Sequence, residues 1–308
     1  MTEFRAKHEP CLVIVGPTAS RKSMVAHRLA LELGGEIVSC DSVQLYRRFD
    51  IGAAKPSREE QAQVPHHMID ILDWSDLYDA RHYANDAYRA IDDILNRKKI
   101  PVIVGGTGLY LRALWGVEWD DLPSDPSLRA ELESLTNEQL AESLQAIDPA
   151  RAQKIHVNDR YRLLRAVELI RLLGKPISEV SGQRDQKPFG HVIRIFPPRA
   201  LAHEAIAERT KRMLDDGFIE EVRGLLTKGC PVEAKPMQSI GYKQVCQWLE
   251  SQMKNRKVLE ESIVAATRQY AKRQYTWFKQ VAANHNVSDP RTEWNEILDQ
   301  AKLYLREF

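Results

Sequence analysis

Few architectures can accommodate Leu12-Val-Ile-Val15 running straight into Gly16-Pro17-Thr18-Ala19-Ser20-Arg21-Lys22-Ser23. The four apolar residues read as a short buried strand. Apolar periodicity then predicts a helix over Met24–Leu33 that stops at Gly34-Gly35. Strand, turn and helix in that order aim backbone N–H groups and the positive helix end at one point, an anion site suited to phosphate. The turn fits the phosphate-loop pattern G-x-x-x-x-G-K-[ST] except at Arg21, which stands where the second glycine belongs. Glycine serves there by taking positive φ and letting the ligand close on the backbone, so Arg21 is expected to reshape the loop. Lys22 supplies a point charge and Ser23 a hydroxyl for Mg2+.

The strand-then-turn logic recurs downstream. Glu36–Cys40 reads as a second strand and is followed at once by Asp41-Ser42-Val43-Gln44. In open parallel sheets ligands sit beyond the carboxyl ends of strands, so Asp41 either faces the anion site or caps the next segment. Ile100–Gly105 reads as a third strand, and Gly106-Thr107-Gly108 puts Thr107 at the same end. Between them, Asp79–Lys98 is predicted to be an amphipathic helix with Tyr83, Ala87, Ile91 and Leu95 facing the core. His66-His67 has no third ligand at metal-site spacing.

The strand pattern resumes at His191–Phe196. The stretch between is helical in pattern, and from 148 to 175 it carries seven Lys or Arg against three Asp or Glu, which marks a change of surface. Asn158-Asp159 can cap a helix to Leu173 that bears Arg162 and Arg165, with Glu168 on a similar step. The expected fold is α/β. A P-loop parallel-sheet core begins in 1–119, a small all-helical insertion domain occupies 120–189, and 190–308 completes the core with a helical C-terminal part.

In that last part, helices are predicted over Glu204–Gly217 and Phe218–Lys228, from Met237 onward, and over Glu260–Ala283. On the last of these Ile263, Ala266, Tyr270 and Trp277 form an apolar stripe, and no acidic residue occurs between Ser262 and Val287. Arg268, Lys272, Tyr275 and Lys279 step along one face beside Trp277 and Phe278, which suits either RNA phosphates and unstacked bases or a solvated surface. With a net charge of +1, any nucleic-acid surface has to be a local patch. Cys11, Cys40, Cys230 and Cys246 show no close spacing and read as free thiols in a reducing compartment. Met1–Pro10 is too polar for a signal peptide and no apolar run reaches membrane-spanning length, so a cytoplasmic protein with no membrane partner is expected.

Taken together, six ordered blocks resemble the tRNA dimethylallyltransferase (isopentenyltransferase) family, bacterial type. They are Gly16–Ser23, Asp41–Gln44, Gly105–Tyr110, Asn158-Asp159 with Arg162 and Arg165, Ile240–Lys243, and Thr267–Phe278. The resemblance spans nearly the whole chain. It implies transfer of a dimethylallyl group from dimethylallyl diphosphate to N6 of adenine 37, beside the anticodon of tRNAs reading codons that begin with U. It assigns Asp41, Thr107 and Lys22 to catalysis, and the loop Gly16 to Ser23 with Arg209 to the diphosphate. Thr18 would donate to the bridging oxygen, and Mg2+ would sit on Ser23. The tRNA anticodon stem-loop would meet Asp41, Ser42, Val43, Gln44, Thr107, Arg129, Tyr161, Arg162, Arg165, Gln238, Gly241, Tyr242, Lys243, Lys272, Arg273, Gln274, Trp277 and Lys279. A monomer is expected.

Four positions depart from the family pattern: Arg21 replaces Gly, Ala53 Thr, Tyr161 Gln, and Ala205 Arg. They keep open a weakened enzyme or a tRNA-binding paralogue without catalysis. A small-molecule P-loop kinase would have no use for the basic aromatic helix. An enzyme prenylating free AMP would have no use for the inserted segment.

Overall fold

The structure, a computed structural model, describes residues 10–116, 123–180, 188–251 and 255–308. The polar start of the chain and the stretch from Trp119 to Leu122, both used in the sequence reading, lie outside the described residues. The chain divides into two compact units, one formed by Met1–Gly116 with Lys187–Phe308 and the other by Val117–Gln186. The sequence reading placed the insertion at 120–189.

In the first unit, β1 (Leu12–Val15), β2 (Glu36–Cys40), β3 (His66–His67), β4 (Pro101–Gly105), β5 (His191–Ile195) and β6 (His285–Val287) form one sheet. Its order is β3-β2-β4-β1-β5-β6 and every pairing is parallel. Alternation sorts the side chains: Leu12 and Ile14 join one core with Val25, Leu29 and Ile297, while Val13 and Val15 join the other with Tyr83, Ala87 and Ile91. Both faces are therefore covered, which is why β1 and β4 are continuous apolar runs.

Four of these strands coincide with the sequence reading. The edges β3 and β6 do not, because two or three residues are too few to show a period. A buried carboxylate helps hold β3 in place. Glu36 on β2 bonds Arg97 through both guanidinium nitrogens and takes His67 Nε2 of β3 at 2.7 Å. Those partners, Arg97 first, hold the Glu36 carboxyl down at about 2.

The connections out of β1 and β4 leave in opposite directions, since β1 leads across β4 to β2 and β4 leads across β1 to β5. That is the topological switch point at which such sheets bind ligands. Helix Lys22–Leu33 follows β1 and helix Gly108–Leu114 follows β4.

Helix boundaries correct the sequence reading in three places, the helix expected over Glu204–Gly217 running Arg199–Asp215. The segment from Lys235 to Gln238 is a short 3-10 turn, and the next helix starts only at Tyr242, because Gly241 takes φ 93° and breaks the run. The long C-terminal helix runs Arg256–Phe278, shifted towards the N-terminus, with Asn255 capping the Lys257 N–H at 2.9 Å.

The second unit is all-helical among its described residues. Leu132, Leu140, Leu144, Leu163, Val167 and Ile170 form its core. Glu168, fully buried, pairs with Arg165 at 2.9 Å and accepts from Ser124 and the Asp125 N–H. Among the described residues no helix is long and apolar enough to cross a membrane.

Candidate active site

The Gly16–Ser23 loop crosses the carboxyl end of β1 with no room to spare. A Cβ on Gly16 would lie 2.3 Å from the Ile195 carbonyl oxygen, so a side chain there is excluded. Arg21 does not reroute the loop. It adopts φ 66° and ψ 16°, the left-handed conformation that a glycine supplies, and Ala19 does likewise at φ 61°. The cost of about 1 kcal/mol for a residue with a Cβ falls on stability, not on shape. Arg21 is exposed, and its charge is felt at Asp289, whose carboxyl is held at about 2 chiefly by Arg291.

Two cations face the loop from within. The Lys22 amine donates to the Pro17 carbonyl at 3.3 Å, and Arg209 donates to Thr18 Oγ1 at 3.3 Å. Burial pulls Lys22 down to about 8, with the nearby Arg209 adding to the effect and Asp41 opposing it. Burial also pulls Arg209 below its ordinary value, again opposed by Asp41. Two partly dehydrated cations with one carboxylate in range favour a bound polyanion.

A diphosphate should return Lys22 to its charged form. At pH 8, binding of inorganic pyrophosphate should therefore take up about half a proton more in the native chain than in Lys22→Arg. Calorimetry in two buffers of different ionisation enthalpy reads this, and equal uptake in both proteins would contradict it.

Asp41 follows β2 directly. Its Oδ1 accepts the N–H groups of Val43 at 2.8 Å and Gln44 at 3.3 Å, so the alternatives left by the sequence are both realised: Asp41 shapes its turn and lies within electrostatic reach of Lys22. Thr107 Oγ1 accepts the Ser42 N–H at 3.2 Å, which ties the turn after β2 to the turn after β4. Tyr270 lies near them, and burial, with Asp41 adding and Thr107 opposing, pushes its phenol up to about 12. The sequence reading had Tyr270 only in an apolar stripe.

Gln274 is placed differently from its expected contact with tRNA. It is buried at 6% exposure, its Oε1 accepts the Thr18 N–H at 2.8 Å, and its Nε2 donates to the Gly106 carbonyl at 2.8 Å. One amide thus bridges the loops after β1 and β4. A Cβ on Gly106 would meet Gln274 Nε2 at 2.5 Å, so a side chain there would push the bridging amide out of place.

Several other expected tRNA contacts are also committed internally. Tyr242 is fully buried and donates to Glu221 at 2.6 Å, beside buried Gly241. Trp277 stacks on Trp115 and closes over Gly108. Tyr275, expected on the basic face, is buried and donates to the Pro197 carbonyl at 2.6 Å, and Phe278 is fully buried. The Gln44 amide is spent on Ser39, Ala53 and Ala54, and half-buried Val43 packs on the core. The aromatic part of the expected RNA helix therefore faces inward, because aromatic area is what the core needs there.

Lys272, Arg273, Lys279, Lys243 and Gln238 remain exposed, Gln238 holding the Val232 carbonyl at 2.7 Å. Within the second unit, Tyr161 is 68% exposed with the Arg129 guanidinium 5.6 Å from its ring centroid. Arg162 is exposed beside Asp159, and Arg165 is held by Glu168 and the Pro123 carbonyl. The free thiols are all buried, and burial pushes Cys40 up to about 12.

Comparison with known proteins points to one family. The model of the IPP transferase family matches residues 44–281. The tRNA dimethylallyltransferase 1 of Citrifermentans bemidjiense is 43% identical over 276 residues, covering 87% of this chain and 88% of its own. That of Geobacter sulfurreducens is 41% identical over 292 residues, covering 92% and 91%. Among solved structures, the full-length tRNA isopentenylpyrophosphate transferase of Bacillus halodurans superposes with a TM-score of 0.71 at 33% identity, covering 97% of each chain. A eukaryotic dimethylallyltransferase acting on tRNA gives 0.78 at 27% identity, covering 96% of this chain and 77% of its own.

Proposed function

This chain belongs to the IPP transferase family, and on that footing we propose that it moves a dimethylallyl group from dimethylallyl diphosphate to N6 of adenine 37 in tRNAs reading codons that begin with U. The observation that carries the reading is the meeting of Asp41 and Thr107 with Lys22, Arg209 and Thr18 at one end of one sheet.

Lys22, Arg209 and the positive end of helix Lys22–Leu33 bind the diphosphate. As the allylic C–O bond breaks, its electron pair stays on the diphosphate oxygen, where these cations and the Thr18 hydroxyl stabilise it. The N6 lone pair forms the new N–C bond. The N6 proton passes to the Asp41 carboxylate, because an exocyclic amine is a weak nucleophile unless it is deprotonated as it attacks. Thr107, bonded to the Ser42 N–H, orients the base beside Asp41. The adenine has to leave the anticodon-loop stack to reach them.

Ser23, exposed one residue beyond Lys22, offers the single oxygen that Mg2+ accepts alongside phosphate oxygens and water, so the donor set fits the ion. When bound there, Mg2+ would supply further charge neutralisation of the diphosphate. The exposed Lys272, Arg273 and Lys279 hold the stem-loop by its phosphates, with Arg129, Tyr161 and Arg162 of the inserted unit as additional contacts. Asp41, Thr107, Lys22, Arg209 and Thr18 all come from one chain, in keeping with a monomer acting in the cytoplasm.

The test is direct. The purified protein, given an anticodon stem-loop, dimethylallyl diphosphate and Mg2+, should convert one adenosine to its N6-dimethylallyl form, read by mass spectrometry of the digested RNA. Activity on AMP with none on the stem-loop would overturn the proposal.

A further inference from the structure

A hydrogen-bonded frame reaches Asp41 from far along the chain, and we infer that Glu221 is a positioning residue for the Asp41 carboxylate, acting through the loop at 50–54. The inference rests on the role of Asp41 as base given above. Glu221 stands in the first turn of helix Phe218–Thr227. Its Oε2 accepts the N–H groups of Asp50 at 3.0 Å and Ile51 at 2.7 Å. Its Oε1 accepts the Gly52 N–H at 3.2 Å and the Tyr242 hydroxyl at 2.6 Å. A carboxylate bound by three successive amides fixes the loop's path, and bonds to an ionised acceptor are about twice as strong as neutral ones. The grip leaves no slack at Gly52, where a Cβ would lie 2.2 Å from the Phe218 ring and 2.6 Å from that of Tyr242.

The loop then passes its position to Gln44. The Gln44 Nε2 donates to the carbonyls of Ala53 at 3.2 Å and Ala54 at 3.0 Å, and its Oε1 accepts from Ser39 Oγ at 2.8 Å. The N–H groups of Gln44 and Val43 hold Asp41 Oδ1. Lys55, with its side chain 4% exposed, closes the loop by donating to the Tyr46 carbonyl at 2.7 Å and to Asp50 and Asp70 at 2.8 and 2.5 Å. Every link from Glu221 to Asp41 is thus either covalent or a hydrogen bond with a backbone partner. A general base needs placement to within about half an ångström, which this frame supplies. The diphosphate cations Lys22 and Arg209 are not members of it.

Glu221→Gln keeps the size of the side chain but turns one acceptor into a donor facing other donors. It should lower kcat about tenfold while leaving KM for dimethylallyl diphosphate within about twofold. Amide hydrogen exchange should quicken across 43–54 and stay unchanged across 16–23. If Glu221→Gln does not fold, Gln44→Leu cuts the same frame nearer to Asp41 and should give the same split. Unchanged kcat with unchanged exchange at 43–46 would overturn the inference. So would a parallel change of kcat, KM and exchange at 16–23, which marks general loosening. Absence of transfer by the unaltered protein would instead sink the function reading, and the exchange arm would still test the frame.

Discussion

Asp41→Asn should abolish useful transfer, lowering kcat by about three orders of magnitude while tRNA affinity stays within about twofold. The amide has the carboxylate's shape, and its oxygen can still accept the Val43 and Gln44 N–H groups, so the turn survives. What it loses is the ability to take the N6 proton. Single-turnover kinetics with filter binding of the stem-loop separates the two effects. Loss of affinity in step with rate would make Asp41 a structural cap, and retention of most of the rate would place the base elsewhere.

The second large effect belongs to Gln274. In Gln274→Leu the Thr18 N–H and the Gly106 carbonyl lose their partner inside a buried site, at about 1–3 kcal/mol each. The melting temperature should fall by about 5–10 °C. The loop carrying Thr18 also loses its tether, so KM for the diphosphate donor should rise about tenfold or more. Calorimetric melting and steady-state kinetics together measure this. A normal melt with normal KM would show that the bridge between the loops is dispensable.

The parts legible in the sequence were those whose signal is local. β1 with its Gly-Lys-Ser turn, β2 leading to Asp41, and β4 leading to Thr107 each announce themselves within ten residues, and parallel topology brings their ends together. Gln274 could not be read that way. It lies 256 residues from Thr18, and nothing near it tells an amide that bridges two loops from one that meets RNA. The aromatic residues of helix Arg256–Phe278 failed for a related reason. The apolar stripe held Ile263, but the basic face read for RNA or solvent held Tyr275, since the helix is covered on more than one side. β3 and β6 owe their pairing to neighbours such as the Glu36–His67 contact, not to their own composition.

The backbone angle at Arg21 has a bearing on how motifs of this kind are recognised. A search string that insists on glycine before the lysine would pass over this chain, although an arginine traces the same course there. What the loop cannot give up lies outside the string: the bare α-carbon pressed against Ile195 at one end and the distant amide at the other. Tolerance at the written position and intolerance at unwritten ones means that relatives with other residues at 21 belong within the same mechanistic group.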